Sequence, residues 1–425
     1  MNNGGARFRT GLVRRSPLLA PFRVRSFRFQ YPADLLTSWG SEMENLILGW
    51  YVLVETGSVL LLTLFGSLQY LGTLVAPVFG MAGDRLGHRN VLCAMRVGYA
   101  ALGGVLMALA LTGALRPLHV FIIAGLGGLI RPSDLAMRSA LVAETMPADR
   151  FVSAMGASRT TSDSARIVGV LAGAGLFAAL GMGLAYVAIT GCYLAGFLLT
   201  LGVGAAQPGG AAIVRTARAS LWRDLREGLA YLAETPSSLA ALWLAFLVNL
   251  TAYPLTSGLL AYVARDIYHV DQTGLGWLIA SFASGSLLGS VAIGLAGRAV
   301  RPARMMIVFA LAWYVMLLIF VRTRSPGSGS AALVLAGLAQ SLSLVPMSAM
   351  LLHGAGAFRG RVMGMRMLAI YGLPIGLTAA GALIDRIGFV PTATLYCGAG
   401  LLFTLLIAVR WRNVLWPLHA AANAR

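Results

Sequence analysis

Apolar runs of bilayer-crossing length recur along the whole chain, separated by short stretches rich in Gly, Pro and Arg. An α-helix rises 1.5 Å per residue, so ~20 apolar residues cross the hydrocarbon layer. Taken at that length, the 425 residues divide into twelve candidate spans. They begin near Ala33, Val59, Val91, Leu118, Phe151, Gly183, Ser238, Thr273, Met305, Ala331, Val362 and Pro391. No long apolar stretch is left over. Backbone polar groups in lipid have no water to bond, so such spans fold as helices. With 58% hydrophobic residues, 11% charged residues and a mean hydropathy of +0.78, a soluble core of ordinary proportions cannot hide the apolar surface. The expected fold class is an all-α polytopic membrane protein with twelve transmembrane helices.

The formal charge of +18 comes from arginine, since the chain contains no lysine. Arg, Ala, Gly and Leu enrichment is a compositional hint of a high-GC bacterial genome. The arginines follow membrane topology, which argues against nucleic acid as a partner. With the amino terminus inside, cytoplasmic loops hold Arg85, Arg89, Arg150, Arg215, Arg218, Arg223, Arg226, Arg298, Arg301, Arg304, Arg359 and Arg361. The opposite loops hold only Arg116, Arg265, Arg322, Arg324 and Arg386. Both termini are therefore expected in the cytoplasm of a bacterial inner membrane. The first thirty residues carry seven arginines and no acid, and Pro17 and Pro21 break their apolar stretch. That reads as a basic tail, with a transit-peptide-like segment the alternative. Cys93, Cys192 and Cys397 are odd in number and widely separated, so neither a disulfide framework nor a metal site is expected.

The longest interior polar stretch cuts the spans six and six. The expected organisation is a tail over 1–32, a six-helix bundle over 33–206, a cytoplasmic linker over 207–236, a second six-helix bundle over 237–410 and a tail over 411–425. Leu221 to Leu232 has apolar residues at helical spacing and is expected to lie along the inner membrane surface. Gly294-Leu295-Ala296-Gly297-Arg298 echoes Gly80-Met81-Ala82-Gly83-Asp84-Arg85, as an internal repeat requires.

Charges inside apolar spans are the sharpest functional clue, because each costs ~2.5 to 3.5 kcal/mol at a helix centre on insertion scales. Glu42 and Glu44 lie in the first span, about 200° apart around the helix. Glu42 shares its side with Asn45, Leu46 and Gly49, which marks it as cavity-facing. Arg131, Asp134 and Arg138 share one face of span four; Arg159, Asp163 and Arg166 do so in span five. Two rows of alternating charge on adjacent spans suggest an interlocked network with a mainly structural or gating role, with Arg131 the member expected to meet substrate or a proton-carrying acid. Gln69, Tyr70, Asn249, Gln340, Ser343 and Tyr371 are candidate cavity residues, although small polar groups also join helices. Met347, Met350, Met363, Met365 and Met367 read as packing or as an adaptable wall, and His353 as an interfacial anchor.

Between spans two and three stands Gly80-Met81-Ala82-Gly83-Asp84-Arg85-Leu86-Gly87-His88-Arg89. Gly80 and Gly83 permit close helix approach, Gly87 permits reversal, and Asp84 can pair with Arg85 or Arg89 or cap a neighbouring helix. The spacing G-x-x-x-D-R-x-G-x-R resembles the signature loop of the major facilitator superfamily. Within it, the chain resembles the branch containing the enterobactin exporter and some macrolide efflux proteins. Trp50-Tyr51-Val52-Leu53, Thr56-Gly57-Ser58, Arg131-Pro132, Arg223 to Leu229 with Pro236, Asn249, Pro254, Arg359 to Gly364 and Gly372 to Gly376 carry that likeness. Gly169-Val170-Leu171-Ala172-Gly173 stands where many exporters have a Gly-Pro pair, and His88 replaces a frequent arginine.

The resemblance implies two six-helix halves rocking about a central site and proton-coupled efflux of a small amphiphilic compound, siderophore or drug-like. An uptake symporter, a sensor or scaffold with the carrier fold and an integral-membrane enzyme are the alternatives. No P-loop, H-E-x-x-H or G-x-S-x-G constellation occurs, so no enzyme activity, ATP use, cofactor or metal is expected. The expected partners are a small-molecule substrate, protons and the lipid bilayer, with the chain a monomer. In this reading the loop from Gly80 to Arg89 is a gate latch.

Overall fold

A computed structural model of the chain describes residues 20–73, 75–147, 149–204, 234–296, 301–352 and 365–416. Most of the expected linker, His353, Met363, Arg298 and the Arg359 to Gly364 motif lie outside the described residues, as do the outer parts of both tails. The described residues form helices grouped into twelve segments. They are α1 (Arg25–Thr56), α2a (Val59–Leu68) with α2b (Ala76–Leu86), α3 (His88–Leu111), α4 (Pro117–Thr145), α5 (151–180), α6 (182–201), α7 (Pro236–Ile267), α8 (Gln272–Ala296), α9 (Pro302–Arg322), α10 (Pro326–Leu352), α11 (Met365–Ile387) and α12 (Phe389–Arg410).

Helix α1 begins at Arg25, eight residues before the expected start near Ala33. Pro21 opens a short 3-10 turn, and Val24 leads into the helix in an extended conformation. The Phe22 ring packs edge to face with those of Phe27 and Tyr31, and Phe27 is buried with Val142, Met146 and Ala154. Arg25 and Arg28 made this turn read as tail; its aromatic residues hold it to the bundle. Asp34 consequently lies inside the helix.

Spans two, five, six and seven depart from simple helices joined by loops. Span two bends by 47° between its parts. Spans five and six run without a loop, and only Gly181, at φ 74° and ψ 177°, breaks the helix between them. π-turns interrupt α5 at Ala165–Gly169 and α7 at Pro254–Gly258 and Val263–Ile267. Such turns insert one residue into the ladder and re-aim the side chains around it.

Within each half, the second and fourth helices of the six cross with their backbones nearly touching. A Cβ on Gly128 of α4 would stand 2.0 Å from the Leu68 carbonyl oxygen, and one on Gly72 would stand 2.2 Å from that of Leu129. In the other half, a Cβ on Gly285 of α8 would stand 1.9 Å from the Val334 oxygen, and one on Gly337 of α10 would stand 2.1 Å from that of Phe282. Association in lipid relies on this close packing, because apolar burial alone gives helices little preference for each other over lipid tails. The recurrence of one crossing in two places, six helices apart, gives structural form to the internal repeat.

The halves meet most closely on the face opposite the Gly80–Arg89 turn. Ser67 Oγ lies 3.1 Å from both the Pro374 carbonyl oxygen and Thr378 Oγ1, and Arg265 donates to the Leu53 carbonyl at 2.8 Å. Among the described residues these are the hydrogen bonds that join the halves. The spans and loops make the protein a multi-pass membrane protein.

Gly285→Val and Gly337→Val each force backbone apart at a crossing and should destabilise the fold by about 1 to 3 kcal/mol. Gly125, which has open space where its Cβ would stand, should accept valine. Melting of the three purified variants in detergent checks this ranking.

Candidate functional site

Of the four carboxylates of helix α1, three, Asp34, Glu42 and Glu44, point into different surroundings. Glu44 is buried within the first half. It accepts from Arg131 Nη2 at 2.6 Å and from the Tyr193 hydroxyl at 2.5 Å, while Arg131 Nη1 donates to Asn45 Oδ1 at 2.5 Å. One carboxylate thus ties α1 to α4 and α6. Asp34 lies nearly three turns earlier, ion-paired with Arg96 of α3, whose guanidinium also bonds Thr200 Oγ1 and the Gly196 carbonyl of α6. Arg138 completes the cluster: it pairs with Asp134, stands 3.6 Å from Asp34 and donates to Ser38 Oγ at 2.7 Å.

The expected interlock between the charged rows of α4 and α5 is absent among the described residues. Arg131, Asp134 and Arg138 face α1 and α3, and in α5 Arg159 pairs weakly with Asp163 of its own helix at 3.6 Å. Helix α1 supplies the acids nearest to α4, so α4 spends its arginines there. Asp34 and Arg96 were missing from the expected site. Arg96 had a signal, a full charge inside an apolar run, whereas Asp34 was masked by its place at the boundary of the basic tail.

Glu42 occupies different ground. It lines a cavity of about 210 Å³ between the two halves, together with Asn45, Gln69, Tyr70 and Arg166 of the first half and Tyr253, Thr256 and Ser257 of α7. Leu62, Phe65, Leu260, Ile279, Phe282 and Leu377 supply its apolar wall. Glu42 also borders a polar chamber of about 160 Å³ inside the first half, lined by Arg131, Asp134, Arg138, Tyr99, Ser38 and Ser41. It is the residue common to both spaces. The polar side of this cavity can bind donors and acceptors, and its aromatic and branched side can hold an apolar body.

Of the remaining candidates, Gln69 and Tyr70 line the central cavity. Asn249 donates to the Ala245 carbonyl of its own helix at 2.8 Å, Gln340 and Ser343 are buried, and the Tyr371 hydroxyl is buried without a hydrogen-bond partner. None of these four lines either cavity; Gln340 and Ser343 are buried in the second half, and Asn249 and Tyr371 are partly buried.

In the turn, α2b ends at Leu86, and Gly87, at φ 85°, reverses the chain. A Cβ on Gly83 would stand 2.8 Å from the His88 ring, whereas Gly80 has open space. Arg89 donates to the Leu201 carbonyl at the end of α6 at 2.5 Å, and His88 meets Glu144 at 2.6 Å. Asp84 and Arg85 are exposed, and among the described residues neither forms an ion pair. Of the partners open to Asp84, neither Arg85 nor Arg89 pairs with it among the described residues, and Arg89 instead satisfies the orphan carbonyls of a helix end.

No family model and no curated protein matches the sequence. Solved structures match over almost the whole chain. A POT family transporter in complex with a thioalcohol-conjugated peptide superposes with a TM-score of 0.72 at 13% identity, covering 92% of this chain and 97% of that one. The nucleoside transporter NupG gives 0.70 at 12% identity, with 91% and 99% covered. A D-xylose-proton symporter gives 0.67 at 13% identity, with 90% and 96% covered. The chain has the major facilitator fold, with twelve transmembrane helices in two pseudo-symmetric six-helix bundles.

Removing one partner of the Asp34 cluster leaves a buried charge uncompensated. Asp34→Asn and Arg96→Leu should each cost about 3 to 5 kcal/mol of stability, and the double variant should lose less than the sum. Thermal unfolding of the purified proteins, read as a double-mutant cycle, checks this.

Proposed function

We propose that the protein is a secondary active transporter of the bacterial inner membrane, working by alternating access, with both termini in the cytoplasm. The observation that carries the reading is the cavity between the halves. It is closed by inter-half hydrogen bonds on the face away from the Gly80–Arg89 turn. A carrier in one of its two end states has this form.

Protons are the proposed coupling ion, and the charged groups of α1 and α4 are the proposed path. Glu42 borders both the central cavity and the chamber that holds Arg131, so a proton on Glu42 has access to either. Protonation of Glu44 would remove its charge from Arg131 and free the arginine's Nη2, giving the helices a second arrangement. The cargo in this reading is a small amphiphilic compound, siderophore or drug-like, moved outward in exchange for protons. The likeness to the exporter branch and the mixed polar and apolar cavity wall support it. Inward proton symport is the second reading, favoured by the fold's likeness to a D-xylose-proton symporter.

The exposed Asp84 suits the latch: in the opposite end state its carboxylate would cap a helix N-terminus of the second half. Asp84→Asn should lower turnover several-fold with little change in substrate affinity. A large loss of affinity at normal turnover contradicts the latch.

Proteoliposome counterflow against a compound panel tests transport itself, since a carrier exchanges labelled substrate chemically unchanged. An imposed pH gradient then gives direction. Outward flux driven by inward protons identifies the exporter, and co-directional flux the symporter. Glu42→Gln and Arg131→Ala should each uncouple flux from the gradient; unchanged coupling in both removes these residues from the mechanism.

A further inference from the structure

Arg166 and Glu42 present opposite charges to the same cavity without forming an ion pair with each other among the described residues. Among the described residues, neither makes an ion pair or a side-chain hydrogen bond. Every other charge near this depth of the first half is committed: Arg131 to Glu44, Arg96 and Arg138 to Asp34 and Asp134. Arg166 sits in the π-turn Ala165–Gly169 of α5, held against α1 where Gly169 packs on Trp39 and Glu42. The facing wall comes from a second π-turn, Pro254–Gly258 of α7, which brings Thr256 and Ser257 to the cavity. Two irregular turns, one in each half, shape the same space, and one of them carries the free arginine.

An acid and a base that share a cavity without pairing, beside an apolar wall, have one fully complementary ligand. A cation at Glu42 is repelled by Arg166, and an anion at Arg166 is repelled by Glu42. In a low-dielectric cleft such like-charge terms are not screened as they are in water. A molecule carrying both charges neutralises both residues and leaves no net charge in the membrane. We propose that the central cavity recognises a dipolar amphiphile. Arg166 takes its anionic group, Glu42 its cationic group, and Phe65, Phe282 and Ile279 its apolar body. This rests on the transporter reading for its biological meaning, but the recognition itself is a binding property and is measured as such.

Three probes share one aromatic body and differ in charge: L-phenylalanine is dipolar, phenethylamine cationic and 3-phenylpropionate anionic. Their binding to the purified full-length protein in detergent is measured by ligand-induced thermal shift. The wild type should bind L-phenylalanine at least tenfold more tightly than either of the others. Arg166→Gln leaves a negative cavity and should prefer phenethylamine; Glu42→Gln leaves a positive one and should prefer 3-phenylpropionate. Each variant gains affinity for a probe, which a misfolded protein cannot do. A wild type without preference for the dipolar probe, or variants that keep the wild-type order, overturns the assignment. Counterflow of the bound probe is read separately. A charge switch without counterflow defeats the transporter reading alone, and counterflow without charge preference defeats the dipolar-ligand inference alone.

Discussion

Helix α1 cannot remain in the bilayer without the arginines of its neighbours. Its two buried acids, Asp34 and Glu44, are each neutralised by a guanidinium from another helix, Arg96 and Arg138 for one and Arg131 for the other. In a medium without water an unpaired carboxylate is too costly to persist, so the pairing fixes which faces of α1, α3, α4 and α6 meet. Thr200, Tyr193, Asn45 and Ser38 take up further donors and acceptors of these groups. Glu42 lies within the same stretch of α1 yet on its other side, and the helical turn that commits Glu44 to the interior delivers Glu42 to the cavity.

The rest of the scaffold is held by contact between backbones. The α2–α4 and α8–α10 crossings use glycine on both partners, so the helices approach until a side chain would collide with a carbonyl. Rigid pairs of this kind suit the proposed alternating access, in which the halves move as bodies. The contact between halves combines the hydrogen bonds of Ser67 and Arg265 with close helix packing, where a Cβ on Gly381 of α11 would meet Thr63 and the Leu60 backbone, and the proposed rocking motion must separate both.

Much of the fold was legible because hydrophobic length and arginine placement are local properties. The twelve spans, the six-and-six division and the cavity-facing side of Glu42 follow from counting residues and helical angles. The partners of α4 were not legible in the same way. Arg131, Asp134 and Arg138 form a visible row, but a row states only that a face is charged, not which neighbouring helix supplies its counter-charges. Asp34 was obscured by the arginines before it, and Arg166 looked like one more member of a row until the π-turn set it apart in the cavity.

The sequence by itself determined that the chain crosses a membrane repeatedly, that it does so as helices and that its buried charges carry consequences. Those conclusions need only the cost of exposing a polar backbone or an unpaired charge to lipid. Tertiary structure decided the pairings. Glu44 became a strut and Glu42 a cavity wall, and Arg89 a helix cap where a partner for Asp84 was expected. It also decided that Arg166, unlike Arg96 or Arg138, was left to meet whatever enters. Each of these outcomes depends on which helix stands beside which, and that is set by contacts between residues more than a hundred positions apart.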